Sequence, residues 1–261
     1  MTVFRHELRQ GRLSLSVWTL SIGFMLGLCI LIYPSMAAQM DEVSAMFSQM
    51  GGFSRAFGMD RINFGSFSGF FSVECGNVLG LGGGFYAALI GIQALAKEES
   101  GHTAEFLLSH PISRRSVIAQ KLLAVLGQVA ILNLVNIAIT AVCVIIIGEE
   151  PPVKSLFLMF TAYFLMQLET AAILFGISAF LRTGGAGLGL GLAAMFYFLN
   201  IVANLMEKTA FLKYVTPYGY TDGAQILTDG ALCGKYLAAG AVFTLLGIAA
   251  AFSRYRQKDI G

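Results

Sequence analysis

The chain is short of charge. Only 12% of its 261 residues are Asp, Glu, Lys or Arg, while 56% are apolar, and the mean hydropathy is +0.73. Soluble domains carry about 25% charged residues, and one soluble core could not hide this much apolar surface. The four cysteines, Cys29, Cys75, Cys143 and Cys233, form no CxxC pair, so neither a zinc site nor a disulfide framework is indicated. Cys75 and Cys233 could meet at one membrane surface, but free buried thiols are the expected state. The histidines supply no HExxH pattern, which argues against an embedded metalloprotease and leaves no expected metal ligands. The glycine-rich tracts Gly80–Gly84 and Gly184–Gly191 lack the lysine of a GxxxxGK[ST] phosphate loop, so no nucleotide site is expected here. No repeat pairs one half with the other, as a secondary transporter with matched broken helices would show.

What is present is apolar sequence in membrane-length runs. Six stretches meet or approach the roughly 20 residues that cross a bilayer: 13–33, 77–96, 117–147, 155–181, 186–206 and 236–252. They are continuously apolar rather than alternating, which excludes barrel strands. The expected fold is therefore all-α, a polytopic membrane protein of one permease domain over 1–261. With the N-terminus inside, Arg5, Arg9, Arg12, Lys97, Arg114, Arg115, Lys121, Arg182, Arg254, Arg256 and Lys258 lie on the inner side. They outnumber Arg55, Arg61, Lys154, Lys208, Lys213 and Lys235 outside, so both termini are expected in the cytoplasm. The first apolar run, about 20 residues, exceeds the core of a cleaved signal peptide.

Residues 4–16 place Phe4, Leu8 and Leu15 among Arg5, Arg9 and Arg12. This suits an interfacial helix that turns by an elbow into the first span, or a plain basic flank. In the loop that follows, Met36, Met40, Val43, Phe47 and Met50 recur at helical spacing and predict an amphipathic helix capping the bundle. The third run would be about 46 Å long as a helix, which puts Lys121 one or two turns inside the inner mouth. Gly148 and Pro151-Pro152 predict its end in a tight turn. Small residues at i and i+4 in Gly184–Gly191 predict close helix contact. Residues 207–234, with Thr216-Pro217-Tyr218-Gly219-Tyr220, predict short helices dipping into the outer leaflet.

Between the second and third spans runs KEESGHTAEFLLSHPISRR, from Lys97 to Arg115. As a helix it would set Ala104, Leu107 and Leu108 on one ridge and Glu98, His102 and Glu105 on another face, with Pro111 stopping it and Ser113 capping the next helix. Such a segment serves either as a docking ridge for a protein groove or as an ordinary connector. The run Glu98-Glu99 followed by Thr103-Ala104-Glu105-Phe106-Leu107-Leu108-Ser109-His110-Pro111-Ile112-Ser113-Arg114 resembles the hallmark of type-2 permeases of ATP-binding-cassette exporters. Six spans, Leu212–Tyr220 before the last of them, and the terminal Arg256–Ile260 extend the likeness. His102 stands where relatives often have glycine.

The resemblance implies that this loop is a cytoplasmic coupling helix fitting a cleft on separate cytosolic ATPase subunits. Its contact residues would be Glu98, Glu99, Thr103, Glu105, Leu108 and Arg114. It further implies a second permease chain, as homodimer or heterodimer, in a bacterial plasma membrane. ATP and Mg would be held by the partner ATPase and no cofactor by this chain; lipids are expected partners and nucleic acid is not. Cargo would be a lipid, an amphipathic drug or a peptide. Within the spans Glu169 stands out, because a mid-membrane charge costs about 2.5–3.5 kcal/mol. Glu169, Asn133, Asn136 and Asn200 are the candidate substrate pathway, or else a set of interhelical bonds. A secondary transporter or channel using Glu169 is the alternative function.

Overall fold

The computed structural model describes residues 2–56, 59–63, 65–100, 113–182 and 185–257. Among them every regular element is helical. The first helix, α1 (Thr2–Gln49), is 48 residues long with Pro34 inside it, about 72 Å at 1.5 Å per residue. The stretch expected to form a separate interfacial elbow is instead the opening of this one helix. No proline interrupts the chain before Pro34. Val3 and Glu7 are buried, while Arg5, Arg9 and Arg12 remain exposed. The methionine-spaced stretch predicted to cap the bundle is helical too, but continues the same rod.

The second crossing is composite. Ser66 Oγ accepts the backbone N–H of Gly69 at 3.2 Å and caps α2 (Phe67–Cys75). The chain then runs through a π-helical segment, Gly76–Gly82, into α3 (Gly83–Ser100). It thus starts about three turns earlier than the apolar run beginning at residue 77 implies, because Phe67 and Phe70 pack on Tyr33, with ring centroids 5.3 and 5.1 Å away. Next come α4 (Arg114–Ile147), α5 (Val153–Ser178) and α6 (Ala186–Leu205). Ser113 caps α4 through Ser116 N–H at 3.2 Å, and Gly148 ends it with φ 71°, as the sequence predicts. Two 3-10 segments, Glu207–Tyr214 and Pro217–Tyr220, and the short α7 (Gly223–Asp229) precede the last span, α8 (Gly234–Gln257). A further short helix, Gly52–Ala56, and a 3-10 turn, Met59–Arg61, sit between α1 and α2.

Six helical stretches are long and apolar enough to cross a membrane. The second and fourth are the most enclosed, 61% and 56% buried against 11% for α8. Helix α5 lies between α3 and α8 and also touches α4, α1 runs along α4, and α6 packs on α3. Large apolar side chains such as Leu20, Phe24, Leu134, Ile145 and Leu245 point outward, where lipid can cover them. Close approach sets the crossings: a methyl at Gly91 would sit 2.5 Å from Ala171 O of α5, and one at Gly176 2.5 Å from Gly247 O of α8. In the predicted small-residue tract, Gly185 and Gly189 do face Ile92 of α3, whereas Gly187 and Gly191 meet nothing within 4 Å.

This contrast predicts opposite outcomes for one substitution. Gly91→Ala should lower stability by about 1–3 kcal/mol, since backbone cannot yield to the new methyl. Gly187→Ala should be neutral or stabilising by up to about 1 kcal/mol. Thermal denaturation of the two variants in nanodiscs checks the pair.

Candidate functional site

Three polar groupings stand at three depths. The first is at the terminal face, where α1 begins. Glu7 is 7% exposed and joins two lysines: Lys97 Nζ donates to its Oε2 at 2.5 Å and Lys121 Nζ to its Oε1 at 2.6 Å. Lys121, 1% exposed, also donates to Ala94 O at 3.0 Å, and Lys97 donates to Gln10 Oε1 at 2.7 Å. The Phe4 N–H donates to Gln120 Oε1 at 3.3 Å beside this cluster. One carboxylate thereby ties the start of α1 to the end of α3 and to the second turn of α4. Those two helix ends flank residues 101–112, the stretch with the coupling-helix resemblance.

The second grouping crosses the middle. Asn133 Nδ2 donates to Gln167 Oε1 at 2.6 Å, and Gln167 Nε2 donates to Leu79 O at 3.3 Å in the π segment. Tyr218 Oη, from the 3-10 segment opposite, donates to Gly80 O at 3.1 Å. A π segment shifts its carbonyls out of α register, and here two side chains from other elements meet them. Asn136 donates to Leu132 O at 2.8 Å on its own helix, and its Oδ1 is buried without a partner. Glu169, 3% exposed, turns toward α8, where the absent side chain of Gly240 leaves room for its carboxylate. Tyr220 Oη donates to Glu169 Oε2 at 2.9 Å.

The third grouping is a cleft on the far face between α2, α5, α6 and the segment after α6. Asn77, Tyr163, Tyr197, Asn200, Tyr218 and Asp222 line it, among others. Tyr163 Oη donates to Thr221 O at 3.1 Å and closes one wall. Asp222 binds Arg61 at 2.9 Å and approaches Lys213 at 3.6 Å. Burial alone would raise the Asp222 carboxyl, but Arg61, Lys213 and the N–H of Gln225 together hold it below the usual carboxylate range.

The residues singled out in the sequence fall into separate places. Asn133 shares a bond with Gln167, Glu169 faces the other way, and Asn200 lines the far cleft; no hydrogen bond among the described residues links Glu169 to Asn133, Asn136 or Asn200. Arg114 opens α4, half-buried. Glu98 and Glu99 occupy the last turn of α3, with side chains outside the described residues, and Thr103, Glu105 and Leu108 lie outside them altogether. Glu7 is not among the residues the sequence singles out, and Tyr218 and Tyr220 stand there only within a turn motif, without the partners they take here. Glu7 was legible as the one acid between Arg5 and Arg9, but its two lysines are distant in sequence. Among the described residues no three His, Cys, Asp or Glu side chains group as a metal site would need.

Compared with known families, the chain matches the one described as ABC-2 family transporter protein over residues 1–260. No curated protein matches it.

Breaking a buried pair by removing one partner costs about 3–5 kcal/mol, because the other charge is left uncompensated. Glu7→Gln should therefore lower the melting temperature sharply, and adding Lys121→Met should restore part of the loss. The Asp222 cluster carries a pH dependence. Its folded pKa is depressed, so its stabilisation is complete above the unfolded value of about 3.9 and disappears as pH falls through the lower folded value. Hydrogen-exchange protection across residues 207–229, taken relative to the intrinsic rate at each pH, should fall below about pH 4 in the parent chain, and Asp222→Asn should flatten that response.

Proposed function

The chain belongs to the ABC-2 transporter family, and from that premise we propose that it is the membrane subunit of an exporter driven by separate ATP-hydrolysing chains. Family membership makes it a transport component rather than an enzyme and implies an ATP-binding partner subunit. The match over residues 1–260 is the observation that carries the reading.

The finer proposal concerns mechanism. The terminal face lies in the cytoplasm, as the basic residues on its loops favour. Residues 101–112 dock in a cleft on the ATPase, with Leu108 filling the groove and Glu98, Glu99, Thr103, Glu105 and Arg114 around it. ATP and Mg bind to that partner. Two ATPase subunits act on two permease chains, and their closure switches the spans between inward and outward access. The Glu7 cluster supports this reading, because it fastens both flanks of the docking segment to α1, so a pull on the segment reaches three helices together. The cargo is a lipid, an amphipathic drug or a peptide, and Glu169, Asn133, Asn136 and Asn200 belong to its path.

Truncating a buried anchor costs about 2 kcal/mol or more. Leu108→Asp and Glu105→Lys should accordingly weaken co-purification of the ATPase by about 30-fold or more. Full binding and full transport in both variants would defeat the docking assignment. Glu169→Gln should still fold, since its amide oxygen can accept from Tyr220, and should reduce transport into inverted vesicles at least tenfold. Unchanged transport would make Glu169 an interhelical tie.

A further inference from the structure

The far-face cleft has the chemistry of a binding site, and its contents decide for what. Its free volume is about 70 Å³. A water needs roughly 10–15 Å³ by this kind of measure, so the cleft takes a few waters or a group of glycerol size. Drug-sized ligands occupy about 300–1,000 Å³, so it cannot enclose a whole cargo molecule. It can hold one end of one.

Charge narrows the choice. Asp222 is the only Asp, Glu, Lys or Arg among the described residues of the lining, and it is already engaged by Arg61, Lys213 and the N–H of Gln225 at 3.2 Å. Among the described lining residues a phosphate would find no lysine or arginine, the nearby Arg61 and Lys213 being engaged by Asp222, and an ammonium group would find that carboxylate neutralised. The remaining polar groups are neutral: Ser72, Tyr163, Tyr218 and Thr221 already donate to backbone carbonyls, whereas those on α6 are under-used. The Asn200 amide makes no hydrogen bond among the described residues. Asn204 donates to Ala56 O at 3.3 Å, but its Oδ1 is buried without a partner. Tyr197 Oη reaches Asn77 Oδ1 only at 3.5 Å, the limit of a hydrogen bond. Tyr197, Asn200 and Asn204 stand at i, i+3 and i+7 on α6, so one helix face presents all three to the cleft. An unmet amide oxygen needs a donor and an unmet amide N–H an acceptor, and a hydroxyl serves as both. The Tyr197 and Tyr218 rings, 5.6 Å apart edge to face, add the apolar flank that C–H faces of a polyol favour.

We propose that this cleft binds the neutral, hydroxyl-bearing glyceryl head group of an amphiphile, with the tail left outside. The inference deepens the amphipathic-cargo reading above and rests on it for its biological role. Binding itself needs no ATPase, so the two can fail separately.

The test uses the full chain in phosphatidylcholine nanodiscs and follows its melting temperature during titration with dioctanoylglycerol, octyl glucoside, dioctanoylphosphatidate or decyltrimethylammonium. A saturable rise with dioctanoylglycerol is expected, and none with octyl glucoside, whose hexose exceeds the cleft, or with the charged amphiphiles. Asn200→Leu and Tyr197→Phe should each weaken the midpoint by about tenfold, the worth of one good hydrogen bond. If Asn200→Leu does not fold, Tyr197→Phe, which removes a single hydroxyl, carries the comparison. No rise with dioctanoylglycerol, an equal rise with octyl glucoside or the charged amphiphiles, or an unshifted midpoint in the folded variants would overturn the proposal and leave a cleft filled by water only. Should binding fail while Leu108→Asp still releases the ATPase, the transporter reading stands without this site.

Discussion

Hydrocarbon offers no hydrogen bonds, so a polar group within the spans is costly unless the protein itself meets it, and most are met while a few side-chain atoms such as Asn136 Oδ1 are not. That constraint organises this chain. The π segment of the second crossing survives because Gln167 and Tyr218 supply donors to Leu79 O and Gly80 O. Glu169 is held by Tyr220, and Lys121 by Glu7 and Ala94 O. In each case the partner comes from a different element than the group it satisfies, so the polar contacts also serve as the specific joints between helices. Apolar packing alone, between helices whose outer faces are equally apolar, would fix their mutual rotation far less well.

Helix α5 collects most of these joints. Tyr163, Gln167 and Glu169 leave it in different directions, toward the far cleft, the π segment and α8. Around it the approach is close enough that glycine is needed at Gly91, Gly176 and Gly247. The terminal face is organised differently, by charge. A single carboxylate holds two lysines that flank residues 101–112, so helices distant in sequence meet there.

Much of this was readable in advance. Six long apolar runs, the Ser113 cap, the Gly148 terminator and the half-buried glycine tract follow from local rules of periodicity and capping, which depend on neighbouring residues only. What local rules could not reach were partnerships between distant residues. Glu169 stands out in the sequence as a mid-membrane acid, and Asn133, Asn136 and Asn200 on neighbouring spans are its expected company. Its actual partner, Tyr220, comes from the segment after α6. The start of the second span was misjudged because Phe67–Cys75, rich in Phe, Gly and Ser, reads as loop until Tyr33 supplies its packing surface. The N-terminal elbow failed for a simpler reason: nothing in residues 2–33 obliges a helix to stop.

That unbroken first helix has a geometric corollary. Its hydrogen-bonded backbone runs from the basic end to Pro34 without a proline, so the place of Glu7 beside its lysines and that of Tyr33 beside Phe67 and Phe70 are set by one stretch of regular geometry. The two ends of the bundle are in this way held in a common register by a single piece of backbone.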